Sequence, residues 1–571
     1  MKPIIYQVFP RWFGNRNTTR RENGTIEENG CGKMADFTPS VLKQIRELGV
    51  THVWYTGILR HATQTDYSRY GIPRQHPAVV KGRAGSPYAI ADYYDVSPDL
   101  AVNVARRMEE FDKLVSRTHR AGLKVVIDFV PNHVARQYQS VGKSEGVADL
   151  GEGDDQQQGF SPQNNFYYCP GQDFAPYLDL YHGELFPYSE RPAKATGNDH
   201  FDNAPGRNDW YETVKLNYGV DYYAGGIGHF DPVPDTWQKM LDILCFWAAR
   251  GVDAFRCDMV FMVPVEFWKW AIPQVRGQFP DVKFIGEIYE PYLYRAYIAA
   301  GFDWLYDKVG MYDALFDIIT HRRRAADITF QWQAVDDIRR HMLYFLENHD
   351  ELRIASDFFA ADGRKAVPAL IVASLIGQNP FMIYAGEEFG ERGMDKEGYS
   401  GHDGRTTIFD YWSLDTLCRA ASNALSADEQ SLRDVHQRVL NIAREHRAVT
   451  EGLMFDLMYV NQHIGDRQFA FLRKAVSARE EGSSVGAGRS QTETKRGQAA
   501  EDTLLVVVNF ADEPVAIDVN IPRHAFDYLQ MSEAPVAATD LLTGESVPLQ
   551  LKADAPVHVE IAARSGRVLR F

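Results

Sequence analysis

Two hydrophobic rhythms take turns along this chain. Short β-branched and aromatic runs have the length and continuity of buried strands: IIYQVF near Ile4, VTHVWYTGI from Val50, LKVVIDFV from Leu123, VDAFRCDMVF from Val252 and VKFIGEI from Val282. Between several of them lie amphipathic helical stretches. Residues 39–49 (PSVLKQIRELG) have proline near the start and glycine at the end, and 103–122 and 236–251 are bracketed in the same manner. Buried strands alternating with such helices predict βαβ units and a parallel sheet. The alternation resumes in YFLENHD near Phe345 and NPFMIYAGEE near Phe381. With a weak strand at FDWLYDKV the count is about eight, the number that closes a β/α barrel.

Two stretches leave this rhythm. Residues 138–235 are rich in Gly, Asp, Asn, Gln, Pro and Tyr and lack a long helical pattern. A structureless loop of that length is improbable, so an irregular domain inserted after the third strand is expected. From about residue 454 short alternating runs such as DTLLVVVNFA and EPVAIDVNI predict an antiparallel sandwich. The expected division is a (β/α)8 TIM barrel over 1–137 and 236–450, the insert over 138–235 and a C-terminal antiparallel β-sandwich over 451–571. Residues 477–502, polar and low in complexity, are expected to form a flexible loop within the sandwich.

Composition narrows the function. The 571 residues carry 61 Lys+Arg against 77 Asp+Glu, a formal charge of −16. That balance argues against nucleic acid, which needs clustered basic charge, and against a polybasic membrane surface. Five scattered cysteines without a C-x-x-C pair indicate neither a zinc site nor a disulfide framework and suit a reducing compartment. MKPIIYQVFPRWFG lacks the apolar core of a secretory signal, and no run of about 18 apolar residues occurs. A cytoplasmic protein is expected. Oligomeric state is silent.

In a β/α barrel, residues at the carboxyl ends of strands face the active-site mouth. Here KVVIDFVPNH ends in Asp128, Asn132 and His133, DAFRCD in Arg256 and Asp258, KFIGE in Glu287, and YFLENHD in Asn348, His349 and Asp350. Each feature alone has an ordinary explanation, such as a helix cap, a structural histidine or a local ion pair. As a set they suggest catalysis. Arg256 and Asp258 are two apart on a strand and face one way, and an adjacent guanidinium favours an ionised carboxylate, which suits a nucleophile. Glu287 follows Ile-Gly in apolar surroundings, which raises a carboxyl and suits a general acid. Two carboxyls in opposite protonation states are what glycoside hydrolysis needs.

DFVPNH (128–133), FRCDM (255–259), IGEI (285–288) and ENHDE (347–351) resemble, in order and spacing, the four signature regions of the α-amylase family, glycoside hydrolase family thirteen. VKLN ending at Asn217, SPYAIADYYDV (86–96) and GQNPFMIYAGEEFG extend the likeness over nearly the whole chain. The resemblance implies Asp258 as nucleophile, Glu287 as acid/base and Asp350 as the third carboxylate. It implies Arg256 as the nucleophile's partner, His133 and His349 as sugar ligands and Tyr88 as a stacking platform. Retention of configuration follows, with the Asp258 and Glu287 carboxyls about 5–5.5 Å apart. Asn132 matches a calcium ligand of the family, with Asp173 or Asp179 as candidate partners, so a structural calcium is possible while none is required for the chemistry.

The sequence also departs from the family. Phe261 and Met262 stand where many endo-acting members carry Lys-His, which reads either as drift or as an apolar acceptor side favouring short sugars or transfer. The expected function is a retaining hydrolase of α-1,4 bonds in maltodextrin, glycogen-derived or starch oligosaccharides. The alternative is a transglycosylase or isomerase acting on trehalose- or sucrose-type substrates through the same carboxylates. A barrel kept only for binding conflicts with the presence of all three acids. A metal-dependent hydrolase lacks an H-x-H pair on the strand ends.

Overall fold

The computed structural model describes residues 1–393, 399, 401–475 and 503–571. The expected loop 477–502 lies outside the described residues. Successive side chains of a strand face opposite sides, and in the first part of the chain both sides are apolar. Ile5, Trp54, Val126, Ala254, Ile285 and Met382 form one buried cluster, whereas their neighbours Tyr6, Val53, Val125, Phe255, Phe284 and Ile383 belong to a second, larger one. Strands buried on both faces must be covered on both, and closing the sheet on itself provides the inner cover.

Eight strands do so: β1 (Ile4–Val8), β2 (His52–Tyr55), β3 (Lys124–Phe129), β4 (Ala254–Cys257), β5 (Lys283–Gly286), β6 (Trp304–Tyr306), β7 (Met342–Phe345) and β8 (Phe381–Tyr384). They close in sequence order, with every neighbour pair parallel. The expected (β/α)8 barrel is the observed one. Helix α1 (Pro39–Glu47) opens on Thr38, whose hydroxyl accepts from the Val41 amide, and buries Leu42 and Ile45. Helix α2 (Arg107–Arg120) starts later than its pattern implies. Asn103 instead caps a 3-10 turn over Val104–Arg106, which uses up the first residues of the stretch.

Between β3 and helix α3 (Asp235–Ala249) the chain forms short strands and a 3-10 turn at Tyr222–Ala224. His133–Ala135 pairs antiparallel with Thr213–Lys215, His133 opposite Lys215. Side-chain carboxylates satisfy much of the remaining backbone. Asp154 accepts from the amides of Asn165 at 2.8 Å and Phe166 at 3.1 Å, and Asp92 from those of Val141 at 2.7 Å and Gly142 at 2.9 Å. This is how an Asp- and Asn-rich segment holds a shape without ladders.

The C-terminal strands are antiparallel, as expected of a sandwich. Six of them, led by Leu453–Asp456, Gln468–Lys474 and Thr503–Asn509, form one sheet, and Val515–Ile521 pairs with Ala555–Ile561 in another. No described helix is long and apolar enough to cross a membrane.

Candidate active site

The barrel ladder continues one residue beyond the strands. The amide of Asp258 donates to the carbonyl of Phe129 at 2.9 Å, and that of Glu287 to Cys257 at 3.0 Å. Both acids are therefore fixed by backbone at the same rim. Met259, directly after Asp258, turns the chain in the left-handed region at φ +44, a strained conformation for a side chain with a Cβ. The turn points its amide at Glu287 Oε2, 3.0 Å away.

Arg256 is wholly buried behind this rim. Its Nη1 lies 2.8 Å from Asp258 Oδ1 and 3.5 Å from Asp128 Oδ1, and its Nη2 lies 2.7 Å from Glu287 Oε2. One guanidinium fork thus ties two acids together. The rings of Trp54, Tyr88 and Tyr306 surround it at 5.1, 5.4 and 5.6 Å. Asp128 is positioned in turn by the Trp54 indole N–H at 3.0 Å.

The electrostatics differ from expectation. Glu287 does not sit in apolar surroundings: it has Arg256, the Met259 amide and the Tyr289 hydroxyl, which donates to Oε1 at 2.5 Å. Arg256 is shared rather than reserved for Asp258. Burial first, and the charge of Glu287 second, push the Asp258 carboxyl well above the usual range, and Arg256 offsets this only in part. For Asp350 burial also raises, but His349, Arg256 and Arg405 outweigh it and hold the carboxyl below its ordinary value.

His349 links the far wall together. Gln7 Nε2 donates to its Nδ1 at 2.8 Å, which leaves the ring proton on Nε2. Nε2 faces the Tyr88 hydroxyl at 2.6 Å and Asp350 Oδ2 at 3.0 Å. The Tyr88 and His349 rings stack at 5.2 Å and 22°. His133 packs on Trp210 at 5.1 Å. Burial, with Lys215 and Lys81 nearby, pushes its imidazole down to about 3, so it is neutral near pH 7 and can both donate and accept. Tyr88, His133, Asp258, Glu287, His349 and Asp350 all reach one cavity of about 330 Å³.

Asn132 does not reach that cavity, and its surroundings do not fit calcium. Its Oδ1 accepts from Lys215 Nζ at 2.5 Å, and the same ammonium lies 2.6 Å from Asp199 and 3.1 Å from the Met262 carbonyl. A fixed positive charge already occupies this oxygen cluster, and a divalent cation beside it would be repelled. The candidate partners are elsewhere engaged: Asp173 pairs with Arg191 at 2.8 Å, and Asp179 caps the Tyr181 amide at 2.9 Å. Among the described residues no group of three His, Cys, Asp or Glu is placed to hold a metal.

Several members of the site carry little sequence signal. Tyr289 follows Glu287 by two and shares its side, a spacing that points to it. Trp54 and Gln7 sit on β2 and β1 and read as core. Lys81, Trp210 and Glu212 come from irregular segments where no periodicity marks them.

The family description "Alpha amylase, catalytic domain" matches residues 7–287. Alpha-amylase MalA of Haloarcula japonica is 24% identical over 444 residues, 75% of this chain and 50% of MalA, so the match spans half the length of that relative. Alpha-amylase 3 of Dictyoglomus thermophilum is 22% identical over 478 residues, 79% of this chain and 78% of that protein. In fold, the chain is similar to the α-amylase of Geobacillus thermoleovorans solved with acarbose, with a TM-score of 0.62 at 16% identity, covering 100% of this chain and 98% of the other. Residues 7–287 thus match the α-amylase catalytic domain, and the four motifs that resemble that family's stand in order on β3, β4, β5 and the end of β7.

Proposed function

We propose that the protein is a retaining glycoside hydrolase of α-1,4-linked glucose oligosaccharides. The observation that carries this is the Arg256 fork, which holds Asp258 and Glu287 side by side with Asp350 across the same cavity. A shared fork favours the short carboxyl separation of a double displacement over the wider gap that an inverting enzyme needs for water.

Asp258 and Glu287, joined through Arg256, share one proton, and in the reacting form it sits on Glu287. In the first step the Asp258 carboxylate attacks the anomeric carbon as the glycosidic C–O bond breaks and Glu287 gives that proton to the leaving oxygen. In the second, water loses a proton to Glu287 and attacks the same carbon, and the ester to Asp258 is released. Asp350, His349 and His133 supply hydrogen bonds to the ring hydroxyls, and the Tyr88 ring supplies the apolar platform. Relatives and neighbours named as α-amylases, one of them solved with acarbose, support the substrate class. Five free thiols support a reducing compartment such as the cytoplasm.

Transfer to a sugar acceptor is the second reading, favoured by Phe261, which packs 6.2 Å from Tyr289 on the Glu287 side. A time course on maltoheptaose with products resolved by length, and anomers followed by NMR, tests both. Shorter products of α configuration support the hydrolase, and products longer than the starting sugar support transfer. An unchanged substrate overturns the α-1,4-glucan assignment.

A further inference from the structure

The leaving group departs on the side of Glu287, which follows β5. In the closed barrel β1 lies opposite β5, and the segments after β2 and β8 flank it, so they form the rim where the retained sugar's free end must lie. On that rim Lys81 meets Glu212 of the insert that follows β3. Lys81, in the segment after β2, lies with Nζ 3.0 Å from Glu212 Oε2, and the two residues are only 8% and 4% exposed. Both line the cavity that contains Asp258.

Their chain neighbours face the other way. Gly82 and Tyr211 line a separate cavity of about 580 Å³, so the segments 81–82 and 211–212 form a partition between the two spaces. The partition is braced by backbone. The Ala84 amide donates to the Phe409 carbonyl at 3.0 Å, the Arg136 amide donates to the Glu212 carbonyl at 3.0 Å, and Lys81 Nζ also lies 5.3 Å over the Tyr211 ring. Gly82 adopts φ +64, and a Cβ there would come within 2.3 Å of the Phe409 carbonyl oxygen. A wall packed this closely does not part for a polymer.

We propose that the Lys81–Glu212 pair closes the glycone end of the cavity and selects the non-reducing terminus of the glucan, making the protein exo-acting. This rests on the hydrolase reading above. A buried ion pair recovers its desolvation cost only where further hydrogen bonds complete it. A terminal glucose does this, because its free 4-hydroxyl donates to a carboxylate while accepting from an ammonium. An internal glucose cannot, since its O4 bears the next sugar and that sugar meets the partition.

The test uses 4-nitrophenyl α-maltoheptaoside and the same compound with an ethylidene bridge across O4 and O6 of its terminal glucose. The native protein is expected to degrade the open substrate and to act on the capped one at below about a hundredth of that rate. Comparable rates on both overturn the inference while leaving the hydrolase reading intact; inactivity on both overturns the two together. In the Lys81→Ala/Glu212→Ala double variant the capped-to-open rate ratio is expected to rise at least about tenfold, and an unchanged ratio counts against the pair. If that variant loses its circular dichroism signature, Glu212→Gln keeps the shape without the charge. It is expected to raise KM for the open substrate about tenfold with kcat within about threefold, and an unchanged KM overturns the assignment.

Discussion

Arg256 has Asp128, Asp258 and Glu287 within 3.5 Å of its guanidinium, and one positive charge cannot balance three negative ones. Burial raises both Asp128 and Asp258, and Asp258, which Glu287 also repels, is pushed well above the usual range. A carboxyl raised in the folded state contributes stability that is present below its unfolded value and is lost as pH rises through the folded one. Asp258→Asn removes that term. Turnover is expected to fall by at least about 10⁴-fold, because an amide does not attack the anomeric carbon. The melting temperature at pH 7 is expected to rise. Stopped assays and calorimetry check the two halves separately: residual turnover rules out Asp258 as nucleophile, and a lower melting temperature contradicts the raised carboxyl. The positions of Asp258, Glu287 and Asp350 were legible because each follows an apolar run. The sharing of Arg256 was not, since Glu287 reaches it across a strand boundary that no local spacing encodes.

The elements beyond the strands hold the site by specific contacts. Lys215, opposite His133 on a two-stranded ribbon, joins Asn132, Asp199 and the Met262 carbonyl. Lys215→Ala is expected to cost about 1–3 kcal/mol by leaving the Asn132 carbonyl without its donor, measured by urea unfolding. Because an ammonium does this work, a metal chelator is expected to leave activity within about twofold, and a large loss would restore the calcium expectation. On the opposite rim, Gly82→Ala meets both a positive φ and the Phe409 carbonyl. A cost of at least about 1–2 kcal/mol follows from the left-handed backbone alone, and unchanged stability would show that the segment is looser than its packing. Sequence anticipated a helix over 39–49 from its proline and glycine, yet placed 103–106 in a helix although Asn103 caps a separate turn.

Across the whole molecule, barrel and C-terminal sheet share one continuous apolar cluster, and helix Val367–Leu375 is buried along all nine residues. Such a core encloses acids that do not line the catalytic cavity. Burial pushes both Glu347 and Glu387 up to about 8, Arg353 opposing this at each. Their stabilising contribution is complete below about 4.5 and disappears as pH rises through about 8. The melting temperature is therefore expected to drop between pH 5 and pH 9. Glu387 Oε1 has no hydrogen-bond partner, and His436 Nε2 is 3.8 Å away, so Glu387→Gln is expected to flatten that drop. An equal drop in the variant would place the pH sensitivity elsewhere.

Sequence by itself determined the barrel, the order of its strands and the acids at their ends, because periodicity and strand termini are local properties written in consecutive residues. It also pointed to His133, His349, Tyr88 and Arg256 through their resemblance to family motifs. Only the tertiary structure decided which charges share Arg256, that an ammonium rather than a metal ion meets Asn132, and that Lys81 and Glu212 meet across the rim. Those pairings join residues as much as 131 positions apart, and their energies depend on burial and distance, which exist only once the chain has folded.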